Sequence, residues 1–190
     1  MTGKPPWALK MKAAFRWLVS PLKRTWAPCG ETPVVRTSIA HHDRVNVIGA
    51  VFLTPSGRHL QLHVHLHAHY ITGHHVLGFL AHVFRRRRGP IVLVWDNHPT
   101  HRCKLVQHFL ARHPRLHVFA LPSYAPELNP AEYLWTQTAE YTVGTAPRSA
   151  GELCGNVLAG LRRLRRSQTR LRACLSASAL SWSHKKNRRS

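Results

Sequence analysis

The sequence predicts an α/β fold in which a mixed sheet is flanked by helices. A turn signal at residues 54–57 separates two strand-like runs, which predicts an antiparallel hairpin. An apolar run at residues 91–95 is followed by a helical segment and another strand, and this order predicts parallel pairing. The length of 190 residues fits one domain of this kind with a tail.

The N-terminal half is predicted to supply the hairpin. Residues 1–20 show no clear helical or strand period, and residues 21–38 are loop-like, because proline and glycine interrupt them repeatedly. Residues 45–53 are rich in Val and Ile, which predicts a strand. The second arm, residues 59–70, alternates strictly between polar side chains, mostly histidine, and apolar ones, as expected for a half-buried strand.

The middle of the chain alternates between helix and strand. Residues 72–88 have helical spacing and stop at Gly89-Pro90. Residues 91–95 are too apolar for an edge strand, so we expect a central, buried one. A helix over residues 101–113 and a strand over residues 116–121 follow. Another helix is predicted to begin at Asn129 or Pro130, since proline is favoured at the first helical position.

The last predicted element is one basic amphipathic helix over residues 152–175. Apolar residues recur on one face: Leu153, Val157, Leu161, Leu164 and Leu171. Arginines recur on the other: Arg162, Arg163, Arg165, Arg166, Arg170 and Arg172. A basic tail, predicted to be disordered, follows.

The charge balance favours a polyanionic partner. Lys and Arg number 28 and Asp and Glu only 7, which gives a formal charge of +21, and DNA or RNA attracts such a chain. Candidate phosphate contacts are Arg85, Arg86, Arg87 and Arg88, together with Arg162, Arg163, Arg165 and Arg166. Two alternatives stay open: basic residues that stabilise a helix C-terminus, and a solvated helical face.

Cysteine usage and hydropathy indicate a reduced, cytoplasmic chain without membrane contact. The four cysteines form no CxxC pair, which argues against a zinc ribbon or a disulfide scaffold. No apolar run reaches the roughly 18–20 residues that a membrane helix needs. The N-terminus has no sustained apolar region, so no signal peptide is predicted.

Two carboxylates have settings that suit a divalent metal. Asp96 ends the apolar strand, Glu132 lies at a helix start, and thirty-five residues separate them. Mg²⁺ and Mn²⁺ prefer such oxygen donors, and Asn97 and His101 beside Asp96 could orient water or phosphate. The alternatives are a turn or capping aspartate, a first-turn glutamate favoured by the helix dipole and a plain first-turn histidine.

The histidine-rich arm suggests a second metal hypothesis. His63, His65, His67 and His69 share one face and could bind zinc. Residues two apart on a strand lie about 6.6–7 Å apart in a line, however, whereas metal ligands must converge on a point. A strand whose polar face is histidine is the competing interpretation.

Two motifs resemble a known family. They are Val94-Trp95-Asp96-Asn97 with His101, and the long run from Leu121-Pro122-Ser123-Tyr124-Ala125-Pro126 to Glu127-Leu128-Asn129-Pro130-Ala131-Glu132-Tyr133-Leu134-Trp135. Together with Arg24-Thr25-Trp26-Ala27-Pro28 they closely resemble the catalytic domain of IS630/Tc1/mariner transposases over about residues 11–150. The resemblance implies an RNase H-like fold, Mg²⁺ or Mn²⁺, and a triad of acids that cuts and rejoins DNA. Asp96 would be its second acid and Glu132 its third.

The first acid of that triad is missing. Met11 and Lys12 stand where the family has Asp-Glu, and the only other acids before Asp96 are Glu31 and Asp43, where the family has no ligand. We therefore expect the first strand to be missing or degenerate. The chain divides into a degenerate N-terminal remnant (1–20), an RNase H-like transposase domain (21–150), the basic helix (151–178) and a disordered basic tail (179–190).

Two functions remain open at this stage. One is a transposase catalytic domain for DNA cleavage and strand transfer, in a truncated and inactive copy without the N-terminal DNA-recognition region. The other is a non-catalytic DNA-binding remnant that forms a homodimer or pairs with an intact transposase. Both imply a bacterial insertion-sequence protein that contacts the nucleoid.

Overall fold

A computed structural model describes residues 7–13, 29, 45–54, 56–87, 89–123, 125–143, 147 and 149–179. In chain order these contain β1 (Trp7–Ala13), β2 (Asn46–Leu53), β3 (Leu60–His67), α1 (Gly73–Arg86), β4 (Ile91–Trp95), α2 (Lys104–Ala111), β5 (Leu116–Ala120), α3 (Pro130–Val143), α4 (Ala150–Arg165) and α5 (Gln168–Ala177). Short 3₁₀ turns occupy Pro99–His101 and Pro126–Leu128. Glu31, Asp43, Arg88, most of the predicted loop at 21–38 and residues 180–190 lie outside the described residues.

The described strands form one mixed sheet in the order β3-β2-β1-β4-β5. β1 pairs antiparallel with β2 and parallel with β4, and β4 pairs parallel with β5. The hairpin between β2 and β3 closes at Gly57, whose φ of 67° favours glycine and whose N–H donates to the Thr54 carbonyl at 2.8 Å. The predicted hairpin and the parallel pairing around Asp96 are both confirmed.

The first strand, which we expected to be missing or degenerate, is not missing. β1 is present and lies at the centre of the sheet, with Met11 in register with Ala50 on one side and Trp95 on the other. Backbone hydrogen bonds to two neighbours define a central strand, and these partners lie far away in sequence, so local periodicity did not reveal it. The absence of an acid in β1 remains a fact of its sequence, WALKMKA.

Helices cover both faces of the sheet, and β2 contributes side chains to the apolar cluster on each face. Ile48, Ala50 and Phe52 pack with α1 and α2, whereas Val47 and Val51 pack with α3, α4 and α5. Trp135 of α3 is only 1% exposed and lies directly over Gly49, where an added Cβ would come within 2.6 Å of its Cη2. Trp135 therefore packs in the core.

The single basic helix predicted over residues 152–175 is two helices. α4 ends at Arg165, and Ser167 begins α5 by accepting a hydrogen bond from the Arg170 N–H at 3.2 Å. A serine cap competes with helix continuation, and the apolar stripe is buried on both sides of the break, so spacing alone did not show it. None of the described helices is long and apolar enough to cross a membrane.

Candidate functional site

Asp96 follows β4 directly, at the end of a strand that has a parallel neighbour on each side. Ile91, Leu93 and Trp95 of this strand are buried, which fixes the backbone from which the carboxylate projects. The Asp96 side chain is 27% exposed, and its Oδ1 accepts a hydrogen bond from the His98 N–H at 3.2 Å. The strand end therefore presents this carboxylate to solvent in a defined orientation.

The buried side chain of His101 contacts the Asp96 carboxylate. Its side chain is 1% exposed, and its Nε2 lies 3.2 Å from Asp96 Oδ1. The ring stacks on Trp95 with 4.4 Å between centroids and 10° between planes. The Nε2–Oδ1 contact has the distance of an ion pair but not the alignment of a hydrogen bond. His101 belongs to the 3₁₀ turn, so the predicted helix over 101–113 is shorter and begins at Lys104.

Glu132 lies in the first turn of α3, and Asn129 fixes the start of that helix. The Asn129 side chain is buried, and its Oδ1 accepts from the Ala131 N–H at 3.2 Å. The Asn129 carbonyl accepts from the Glu132 N–H at 3.0 Å. Pro130 occupies the first helical position, where its fixed φ suits the helix and its missing N–H costs nothing.

The two carboxylates share one cleft of about 510 Å³. The Leu121 N–H donates to the Trp95 carbonyl at 2.7 Å, which ties the loop before α3 to the end of β4. The lining residues are Asp96, Asn97, His98, Pro99, Leu121, Pro122, Ser123, Ala125, Pro126, Asn129 and Glu132. Sequence reasoning selected Asp96, Asn97 and Glu132 from this set but did not select Ser123 or Asn129, although both lie within the long second motif.

The donor set fits one hard divalent cation. Two carboxylates leave coordination positions for water and phosphate, which is how Mg²⁺ usually binds, and amide and hydroxyl oxygens also line the cleft. No three His, Cys, Asp or Glu side chains of the described residues converge as a metal site. Met11 is level with Trp95, so the next residue of β1, Lys12, is level with Asp96. β1 therefore offers no carboxylate for a second ion beside Asp96.

The histidine side chains of β3 pack against other rings instead of converging on a point. His65 lies against Phe79 with 5.1 Å between centroids, and His67 lies 4.3 Å from His75. Burial lowers the pKa of both His65 and His67, and His75 and His65 also lower that of His67. His69 lies beyond the end of β3. No group of three of the described side chains supports the zinc hypothesis.

The two arginine clusters have different surroundings. Arg85 and Arg86 are exposed at the end of α1, whereas Arg87 lies across the sheet, where it donates to Gln61 and its guanidinium carbon is 4.6 Å from the Phe52 ring centroid. Arg88 lies outside the described residues. The second cluster is exposed at the end of α4 and comprises Arg162, Arg163, Arg165 and Arg166.

Comparison with known proteins identifies a segment that includes both Asp96 and Glu132. A family model described as DDE superfamily endonuclease matches residues 17–153. The crystal structure of the mariner Mos1 paired end complex with Mg is 16% identical, with a TM-score of 0.53, and the match covers 93% of this chain and 56% of that one. For the pre-cleavage Mos1 transpososome the values are 14%, 0.52, 93% and 57%. No curated protein sequence gives a significant match.

These structural matches show a shared fold. The predicted RNase H-like arrangement, a mixed sheet with helices on both faces, is confirmed. The chain spans a little over half the length of the matched transposase chains.

Proposed function

The chain belongs to the DDE superfamily of endonucleases, and we propose that it is a transposase-type catalytic domain that binds DNA at the Asp96–Glu132 cleft. The observation that carries this proposal is the position of the two carboxylates. One ends a central parallel strand, the other begins a helix, and both line a single open cleft. Ligands of open α/β sheets commonly bind at the carboxyl ends of the strands.

Asp96 and Glu132 are the residues that would hold Mg²⁺ or Mn²⁺, with Asn97 beside them in the cleft. When bound, such an ion polarises a phosphoryl oxygen and lowers the pKa of a coordinated water. His101 is a positioning residue, because its buried ring restricts where the Asp96 carboxylate can lie. Mos1 paired end complexes form with Mn and with Mg, which supports the same metal class for this chain.

DNA is the proposed substrate. The net charge of +21 supports it, and so does the structural similarity to Mos1 paired-end and transpososome assemblies. By the same analogy the chain would act in a homodimer or beside an intact transposase. The IS630-type assignment, with a bacterial insertion sequence and a cytoplasmic location, rests on the second motif and remains part of the proposal.

A second function, DNA binding with little cleavage, is favoured by β1. The strand beside Asp96 supplies Met11 and Lys12 where the family has an acidic pair that includes its first catalytic acid. Loss of one member of a catalytic group typically costs orders of magnitude in rate. We therefore propose that this chain binds DNA and a single divalent ion but cleaves far more slowly than a domain with three acids.

Nicking of supercoiled plasmid in Mn²⁺, together with Mn²⁺ binding measured by titration calorimetry, tests both functions. We expect wild-type protein to bind Mn²⁺, and Asp96→Asn and Glu132→Gln each to weaken that binding at least about tenfold. Asp43→Asn is the control for loss of one carboxylate, since the family has no ligand at that position. Mn²⁺ binding that survives Asp96→Asn/Glu132→Gln would exclude the proposed site.

A further inference from the structure

A second pocket, of about 290 Å³, lies where β3 meets the junction of α4 and α5. Its lining residues are His59, Leu60, Gln61, Leu62, His63, Arg165, Arg166 and Gln168. It shares no residue with the Asp96–Glu132 cleft. β2 and β1 lie between β3 and β4, so β3 and β4 are about 14 Å apart at the usual spacing of neighbouring strands.

Gln168 fixes the wall of this pocket. Its side-chain Oε1 accepts from the Leu60 N–H at 2.9 Å, and its Nε2 donates to the Leu60 carbonyl at 2.8 Å. The amide thus satisfies the outer hydrogen-bonding groups of β3 at this point as a further strand would. Arg172 adds a hydrogen bond to the Arg58 carbonyl. The α4–α5 junction is therefore tied to the edge of the described sheet.

The charge of the pocket lining is positive. None of its described lining residues is Asp or Glu, and Arg165 and Arg166 are exposed. On the other side Arg87 contacts His63, with 3.2 Å between the guanidinium nitrogen and Nε2. Burial, followed by the cations Arg87, Arg165, His82 and Arg86, lowers the pKa of His63 to about 4. An anion would relieve this repulsion.

The convergence of the two arginine clusters is a tertiary feature. The α1 cluster and the α4 cluster are more than seventy residues apart in sequence, yet Arg87 and Arg165 both act on the same β3 histidine. Favourable interaction with helix C-termini explains arginines at the end of each helix separately. It does not require Arg87 from one cluster and Arg165 from the other to approach the same histidine.

We propose that this pocket binds a backbone phosphate of duplex DNA, held by Arg165, Arg166 and His59. The chain would then grip a stretch of duplex at the β3 edge, separate from the strand bound at the Asp96–Glu132 cleft. Arg165 and Arg166 supply exposed guanidinium groups suited to phosphate, while the Gln168–Leu60 hydrogen bonds fix the α4–α5 junction beside them. The proposal rests on the proposed DNA binding but not on metal binding or cleavage.

Fluorescence anisotropy with a labelled duplex oligonucleotide, in EDTA and over a range of salt concentrations, tests this site. We expect Arg165→Ala/Arg166→Ala to weaken binding at least about tenfold and to reduce the slope of log K against log salt by about 1, the value for one lost phosphate contact. Lys104→Ala/Arg112→Ala removes the same charge from exposed positions of α2 and should have a much smaller effect. Equal losses in the two double variants would overturn the proposal, because they would indicate charge alone.

Two further measurements separate this site from the metal cleft and from folding. Arg165→Ala/Arg166→Ala should still bind Mn²⁺ as tightly as wild type, and the wild-type NMR titration of His63 should move to higher pH when duplex is added. If the pKa of His63 is unchanged when the protein is saturated with duplex, the pocket is not the phosphate site. If wild-type protein binds no duplex, the proposed function fails as well; if it binds and Arg165→Ala/Arg166→Ala binds equally, only this inference fails.

Discussion

Gly49 is the position where a single methyl group should disturb both stability and the candidate site. Its place on β2 lies under Trp135, and an added Cβ would come within 2.6 Å of Cη2, 3.2 Å of Val64 Cγ1 and 3.3 Å of Cζ2. Ordinary contact begins near 3.4 Å, so the sheet and α3 must separate by several tenths of an ångström. Overpacking of this kind costs about 1–3 kcal/mol, which lowers the Tm of a chain of this size by about 2–12 °C.

The same displacement should reach the metal cleft, because Trp135 lies one turn after Glu132 on α3. We expect Gly49→Ala to lower the Tm measured by circular dichroism and to weaken Mn²⁺ binding measured by calorimetry. Trp135→Phe removes the clashing ring atoms, so in the double variant the two losses should be less than additive by about 0.5–3 kcal/mol.

Gly78 provides the matched control for this substitution. It is exposed on α1, and an added Cβ there meets no atom within 4 Å. Gly78→Ala should therefore stabilise the helix by up to about 1 kcal/mol. A Gly49→Ala variant as stable as wild type, or additive losses with Trp135→Phe, would refute the packing of α3 on β2 described above.

Three further predictions concern β1, the β3 histidines and a buried thiol. Met11→Asp/Lys12→Glu restores the missing acidic pair and should raise Mn²⁺-dependent plasmid nicking on the order of 100-fold; unchanged nicking would contradict the explanation for low activity. The pKa of His63 is lowered from 6.5 to about 4, so the unfolded chain binds the extra proton between these values. The contribution of neutral His63 to the free energy of unfolding is therefore fully present above pH 6.5. It is lost as the pH falls towards 4, by about 1–2 kcal/mol after allowance for solvent screening. Urea unfolding should show this loss, and His63→Gln should reduce it; an identical profile would exclude His63 as a cause. Burial raises the pKa of Cys174 to about 11, so iodoacetamide at pH 8 should label the exposed Cys29 much faster, and equal labelling by mass spectrometry would count against the buried position.

The sequence located the two acids but could not show that they meet. Asp96 and Glu132 were recognisable because one ends an apolar strand and the other begins a proline-bounded helix, and both signals are local. Their placement in one cleft depends on the Leu121–Trp95 hydrogen bond and on the cap from Asn129. Ser123 and Asn129 were not selected, since a serine in a loop and an asparagine before a helix have ordinary structural uses.

Local patterns thus determined the hairpin, the buried strand β4, the α/β class and the family, because side-chain periodicity and turn chemistry act over a few residues. Only the tertiary structure decided that β1 lies at the centre of the sheet, where its strand partners are thirty-five or more residues away. The same holds for the end of α4 at Arg165 and for the meeting of two arginine clusters at β3. In each case the deciding contacts join distant segments, and periodicity within one segment carries no information about the distance between two.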